Sequence, residues 1–227
     1  MYGLEDSRET VQRELGIERH TYTAWRSRLQ NSMILALEAQ DVFDYRVGGE
    51  NVIVEVDETL LNRKKPVSAP FQRCRRRRTQ LWAWGAVERI GISSGRFVII
   101  LLEADIDHPR GQEALRACLE KYVSPGSRII HDDWGAYRAM PWEEMQYIHD
   151  NRSIVNHSKE AVNVWGEHTN HIESLWSASK RWARRRCGGA LPRTPEVVEA
   201  MLIEFMWRHW CDARGEHPVS ALVKSRL

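Results

Sequence analysis

Three β-branched, strand-length runs stand out between residues 51 and 105. "NVIVEVDETLL" (51–61), "QLWAWGAVERI" (80–90) and "SSGRFVIILLEAD" (93–105) read as strands, the last two joined by a Gly-Ser turn at 91–95, and three consecutive strands predict an antiparallel meander. The period then changes. "HPRGQEALRACLEKYV" (108–123) predicts a helix with Asp107 as N-cap and Pro109 in its first turn. "SPGSRIIHDD" (124–133) predicts a short fourth strand after a turn, and "MQYIHDNRSIVNH" (145–157) contains a further extended stretch. "GEHTNHIESLWSASKRWARRRCGG" (166–189) reads as a helix closed by Gly188-Gly189, and an apolar, Trp-rich helix follows over roughly 195–210. Ahead of all these, "RETVQRELGIERHTYTAWRSRLQN" (8–31) spaces Val11, Leu15, Ile17, Tyr22, Trp25 and Leu29 for two short amphipathic helices about a turn at Gly16. That is the outline of a helix-turn-helix, and equally of any helical hairpin.

A meander, a helix, a fourth strand, a fifth strand and a closing helix follow the element order of the ribonuclease H-like α/β fold. The expectation is therefore a mixed sheet flanked by helices over 50–212, preceded by a helical, helix-turn-helix-like segment over 1–48 and followed by a tail over 213–227. A chain of 227 residues with 42% hydrophobic content can bury one sizeable core with a small appendage. The opening "MYGLEDSRET" has no apolar stretch behind a basic start, and the longest aliphatic run, "FVIILL" at 97–102, is too short to span a bilayer. Neither secretion nor membrane insertion is expected. Cys74, Cys118, Cys187 and Cys211 form no CxxC pair, which argues against a disulfide framework or a zinc ribbon and for a reducing compartment.

The net charge of +2 conceals a segregation. Residues 1–60 carry twelve Asp/Glu against six Lys/Arg, whereas "RKKPVSAPFQRCRRRR" (63–78) has eight Lys/Arg and no acid. "KRWARRRCGG", from Lys180, has five Lys/Arg in its first seven residues. Such blocks neutralise phosphates without reading sequence, although a localisation signal, a solvated face or a basic linker has the same composition. One block follows the strand bearing Asp57 and the other begins on the helix bearing Glu173, so both should flank one cleft. Trp82, Trp84 and Trp207 read as core, while Trp182 within the Arg run either stacks on a base or packs.

Phosphodiester cleavage assisted by divalent cations needs several carboxylates converging on one point, because hard ions choose oxygen ligands. Asp57 on the first strand, Asp132 and Asp133 at the end of the fourth, and Glu173 on the closing helix can meet in the deduced fold. Strand alternation puts Glu55 and Asp57 on one face and Glu58 on the other, and an edge strand with a wet face would also account for all three. Glu173 falls about 100° from Ile172, at the edge of the apolar stripe Ile172, Leu175, Trp176 and Ala183. Lys180, seven residues on, lies nearly in line with it and offers an anion-binding cation.

"VEVDET" (54–59), "WGAVER" (84–89), "PGSRIIHDDWGAY" (125–137), "VNHSK" (155–159), "HTNHIESLWSASKR" (168–181) and "EFMWR" (204–208) together resemble the Merlin DNA transposases and their bacterial insertion-sequence (ISXO-like) relatives. The resemblance runs in order from about residue 50 to 210. It implies an Asp-Asp-Glu transposase with a ribonuclease H-like catalytic domain over 50–212, using Mg²⁺ or Mn²⁺, two ions in all. Motif by motif, it assigns the metal-binding acids to Asp57, Asp132 and Glu173 and the phosphate-holding lysine to Lys180. The two basic blocks add expected DNA contacts from Arg181, Arg184, Arg185 and the run Arg75, Arg76, Arg77 and Arg78. Asn170 and His168 are weaker candidates, because some relatives use Asn as the third ligand. Asp133 departs from the pattern by standing where relatives keep a small residue, as a further ligand or a perturbing charge. The implied partners are double-stranded DNA at transposon ends and target, and further copies of the chain. The expected location is the nucleus of a eukaryotic host or the cytoplasm and nucleoid of a bacterial one. The chain lacks the zinc-binding leader of many relatives, so it reads as truncated or as a short variant. The alternatives are a catalytically silent or host-co-opted DNA-binding descendant, and a zinc protein using His157, His168, His171 and Cys187.

Overall fold

A computed structural model of the chain describes residues 8–38, 46–63, 80–90, 93–102, 109–156, 162–187, 189, 191 and 194–224. Among these, β1 (Ile53–Arg63), β2 (Gln80–Ile90), β3 (Ser93–Leu101), β4 (Arg128–Asp132) and β5 (Ile154–Val155) form one mixed sheet in the order β3-β2-β1-β4-β5. The meander is present: β1–β2 and β2–β3 are antiparallel, whereas β1–β4 and β4–β5 are parallel. β1 is the middle strand, so its three acids are not those of a wet edge.

The helices are α1 (Arg8–Leu15), α2 (Arg19–Glu38), α3 (Gln112–Tyr122), α4 (Gly135–Arg138), α5 (Asn170–Arg186), α6 (Pro195–Ala213) and α7 (Pro218–Lys224). Several bounds differ from expectation for local reasons. Gly111 rather than Asp107 occupies the N-cap of α3, Pro109 stays in the turn ahead of it, and Asp107 lies outside the described residues. The fifth strand shrinks to two residues because Asn151–Ser153 turn the chain just before it. At the end of α5 the Gly189 N–H bonds the Arg184 carbonyl at 2.8 Å, as a helix-terminating turn requires, while Gly188 lies outside the described residues. The tail carries α7, whose Ala221 and Leu222 pack with Trp207 and Cys211 of α6 and with Met33 and Ala36 of α2. The N-terminal hairpin about Gly16 exists, but α2 buries its C-terminal half on α6 and α7 and leaves Trp25 exposed. Trp84 and Trp207 are core; Trp182 packs edge-on against Phe205, ring centroids 5.6 Å apart.

The two faces of β1 meet different partners. Val54 and Val56 point into the core with Trp84, Leu115, Leu119 and Tyr137, while α5 covers the opposite face. The Trp176 ring of α5 lies directly over Gly85 of β2. A Cβ added at Gly85 on β2 would fall 2.6 Å from Trp176 Cη2 and 3.2 Å from Ile172 Cδ1, so glycine here is what lets α5 sit down on the strands. Gly85→Ala should lower the unfolding free energy by about 1–3 kcal/mol by overpacking. Urea unfolding should show this as a lower midpoint at an unchanged slope; an unchanged midpoint would mean that α5 is not seated as described.

Candidate active site

α5 runs along β1 in the same direction, joined to it by three polar rungs. Glu55 bonds the helix at His171 and Ile172, Asp57 at Trp176 and Thr59 at Lys180. Two strand residues advance ~6.6 Å and four helical residues ~6 Å, so alternate positions of one keep step with every fourth of the other. Glu55 anchors this register. It is fully buried and accepts the backbone N–H groups of His171 at 2.9 Å and Ile172 at 3.1 Å. These donors near the start of α5 have no intrahelical acceptor, and a strand carboxylate supplies one. Glu55 also accepts from His171 Nδ1 at 2.8 Å and Arg89 Nε at 2.9 Å, and Arg89 goes on to pair with Glu167 and bond the His168 carbonyl.

The parallel register of β1 and β4 ends at Val56 opposite His131. One step further on each strand, Asp57 and Asp132 stand side by side, with backbones about 5 Å apart, on the face that α5 covers. Asp57 accepts from Trp176 Nε1 at 2.9 Å. Burial, reinforced by the charges of Glu58 and Asp132, pushes its carboxyl up to about 7. Glu58 turns to the opposite face and accepts from the Tyr137 hydroxyl and from Arg110 Nη2 at 3.2 Å. It too is pushed up to about 7, chiefly by burial with Asp132 adding, against the bonds from Tyr137 and Arg110. Three carboxyl groups therefore crowd the point where β4 ends beside the middle of β1. Behind Asp132, the buried His131 is stacked on Tyr137 with centroids 4.6 Å apart, and burial pushes its imidazole down to about 4. Neutral, it can donate from Nδ1 to the Asp132 carbonyl at 2.5 Å and accept at Nε2 from His149 at 2.9 Å.

Glu173 is exposed in the first turn of α5, directly after Ile172, which Glu55 holds. Lys180 shares its side of the helix. The Lys180 ammonium donates to Thr59 Oγ1 at 2.5 Å; burial and Arg184 lower its pKa, with Asp57 opposing. The structure thus brings Asp57 and Asp132 together and sets Glu173 and Lys180 on the helix that lies along Asp57. Arg181, Arg184 and Arg185 are exposed, whereas Arg186 turns inward to Glu204 at 3.2 Å. Asn170 is exposed at the first position of α5. Arg75, Arg76, Arg77 and Arg78 lie outside the described residues. Asp133 is occupied elsewhere: both its oxygens pair with Arg138 and one accepts from Asn156 Nδ2 at 2.7 Å. The Arg138 guanidinium holds its carboxyl below the usual range.

Asp57 and Asp132 offer only oxygen, and their crowding leaves negative charge that a hard divalent cation neutralises, so these residues fit Mg²⁺ or Mn²⁺. A second group, Glu55, His168 and His171, has ligand atoms within 4.8 Å of one another. Its Glu55 oxygens already hold Arg89 and two helix N–H groups, and His168 Nδ1 stays 3.6 Å from Glu55 Oε1. The four-ligand zinc alternative does not assemble: Cys187 caps the far end of α5, ~24 Å along the helix from His171, and His157 lies outside the described residues.

Residues 47–191 match the family model described as the ISXO2-like transposase domain. The chain belongs to that family. No curated protein and no solved structure matches it. The matched span holds the whole sheet, α3, α4 and α5, and with them Glu55, Asp57, Glu58, Asp132, Asp133 and Glu173. Sequence reasoning missed Glu55 as the anchor of α5 and passed over Glu58, Arg110, Arg89 and Tyr137. Glu58 and Arg110 stand 52 positions apart, Glu55 and His171 116, and no local pattern joins such pairs.

Two outcomes test this geometry. Glu55→Ala leaves Arg89 and the start of α5 without their acceptor and should cost about 3–5 kcal/mol in denaturant unfolding; a loss typical of a surface position would contradict the anchor. The second concerns pH. Asp57 titrates near 7 in the folded chain and at its ordinary 3.8 when unfolded, so between these values the folded state holds a proton the unfolded state has released. Stability contributed by this group therefore falls as pH rises from about 4 to about 7, and the deficit is complete above that. Asp57→Asn should be more stable than the parent by an amount that grows across this window and is larger near pH 8 than near pH 5. A gain independent of pH would refute the crowding.

Proposed function

We propose that the chain is a DNA transposase that cleaves DNA at the terminal inverted repeats of a transposable element and joins the freed 3′ ends to target DNA. The observation that carries this reading is the placement of Asp57 and Asp132 one step beyond Val56 and His131, the last paired residues of the parallel strands β1 and β4, within a chain of the ISXO2-like transposase family. The sheet order and the α5 crossing support a ribonuclease H-like catalytic domain over 50–212, with 1–48 as a DNA-contacting segment and 213–227 as a tail. Asp57, Asp132 and Glu173 would hold two divalent cations, Mg²⁺ or Mn²⁺. The chemistry such ions supply is polarisation of the scissile phosphate and of the attacking hydroxyl.

The chain's own groups do the rest. Glu55 and Trp176 fix α5, the helix that carries Glu173, against β1. Lys180, held at Thr59, presents an ammonium to a phosphate, and Arg181, Arg184 and Arg185 extend the positive edge along α5. Arg75, Arg76, Arg77 and Arg78 would add phosphate contacts from the β1–β2 connection. Cutting two element ends calls for at least two copies of the chain. No helix among the described residues is long and apolar enough to cross a membrane, in keeping with work on DNA in a nucleoid or nucleus. A catalytically silent or host-co-opted DNA-binding protein is the competing reading, since the basic edge serves binding alone equally well.

Purified protein with Mg²⁺ and labelled duplexes carrying the ends of its element should release 3′-hydroxyl ends. Asp57→Asn, Asp132→Asn and Glu173→Gln should each reduce cleavage beyond the ~10–100-fold typical of outer-shell changes, while retaining DNA binding. Equal cleavage by parent and variants would refute the assignment. Tight binding without cleavage by the parent would favour the silent binder.

A further inference from the structure

Close to Asp132 in sequence lies an aromatic stack that the cleavage reading does not use. The Arg110 guanidinium is sandwiched between two indoles, 4.2 Å from the Trp82 ring centroid and 4.1 Å from that of Trp134. Glu58 holds the same guanidinium through Nε at 3.3 Å and Nη2 at 3.2 Å. Trp134 donates its indole N–H to the Arg110 carbonyl at 3.3 Å, so ring and arginine fix one another. Trp82 closes the inner end of the stack, packed against the core. Trp134 forms the outer end and remains 39% exposed with Arg110 over one of its faces.

We infer that the open face of Trp134 is a stacking site for an unpaired nucleobase of the DNA bound at Asp57 and Asp132. The inference rests on the reading of the chain as a protein that acts on DNA. Trp134 is two residues beyond Asp132, so their Cα atoms lie within ~7 Å, and a strand whose phosphate reaches the carboxylates can bring an adjacent base to the indole. A paired base inside a duplex has both faces covered by its neighbours; only an unpaired or terminal base has a face to offer. The ring loses little freedom on binding, because Arg110 and the indole hydrogen bond already hold it. With its N–H spent on Arg110, Trp134 has no donor left for a base edge, so stacking there accepts any base. Glu58 acts as a positioning residue through Arg110, which links the buried carboxyl beside Asp57 to the surface indole.

The full chain, in metal-free buffer, is titrated with two DNAs of equal length, one blunt and one ending in a short single-stranded overhang that carries 2-aminopurine. Stacking on an indole should quench the probe, and the overhang should bind about five- to a hundred-fold more tightly than the blunt duplex. Trp134→Leu should abolish both the quench and the preference, and Trp134→Phe should keep both, with all three proteins melting alike. Changing the bases beside the probe should leave the preference unaltered. Equal overhang affinity and equal quenching in Trp134→Leu and the parent would overturn the inference, as would a parent with no overhang preference. The cleavage reading fails separately. A parent that stacks the probe but never cuts with Mg²⁺ leaves the stacking site standing, and one that cuts while Trp134→Leu binds overhangs normally removes the stacking site alone.

Discussion

The contact on which the rest of this molecule depends is the buried carboxylate of Glu55 at the foot of α5. A carboxylate in a Val/Ile-rich strand is costly unless every lone pair is used. Here a guanidinium, an imidazole and two backbone N–H groups use them. Because Glu55 caps the helix from outside, the starting point of α5 is set by a strand residue and not by α5 itself. Everything downstream inherits that setting: Trp176 falls on Asp57 and over Gly85, and Lys180 falls on Thr59. Glu173 is one residue past a hydrogen-bonded anchor, which makes the position of an exposed acid a property of the buried core.

The same strand carries a conflict. Asp57 and Glu58 are neighbours that alternation sends to opposite faces, and both are pushed towards neutral proton affinities by burial and by Asp132. On one side Trp176 offers Asp57 a single hydrogen bond. On the other, Tyr137 and Arg110 hold Glu58, and Arg110 is wedged between Trp82 and Trp134. A fold selected for stability alone would have little reason to gather three acids where β4 ends beside the middle of β1. Their retention is the kind of local cost that functional sites carry.

Much of this was legible in the chain. The meander, the fourth strand ahead of the two acids and the basic stripe-edged helix follow from periodicities of two and 3.6, because each depends on neighbours within a few residues. The linked motifs point to the transposase family and assign Asp57 and Asp132 to one site, whereas the register of the strands that carry them follows from no local pattern. Less legible were the elements whose ends depend on distant contacts. β5 is only two residues long, and α7 forms in what read as a tail because α6 and α2 give it a surface.

Asp133 shows where local reading ends. By residue type it equals Asp132, a second carboxylate in the same pair, and only the resemblance to the transposase family tells the two apart. The strand stops at Asp132, and Arg138 and Asn156 draw Asp133 into a bond network of its own. What the sequence determined by itself was the kinds of groups present and the faces on which alternation and helical period display them. Only the tertiary structure decided which of them meet. Glu55 and α5, Asp57 and Trp176, and Glu58 and Arg110 are joined by packing across 52 to 119 positions. Which carboxylate becomes an anchor and which is left beside another acid is a matter of the donors the fold brings to it.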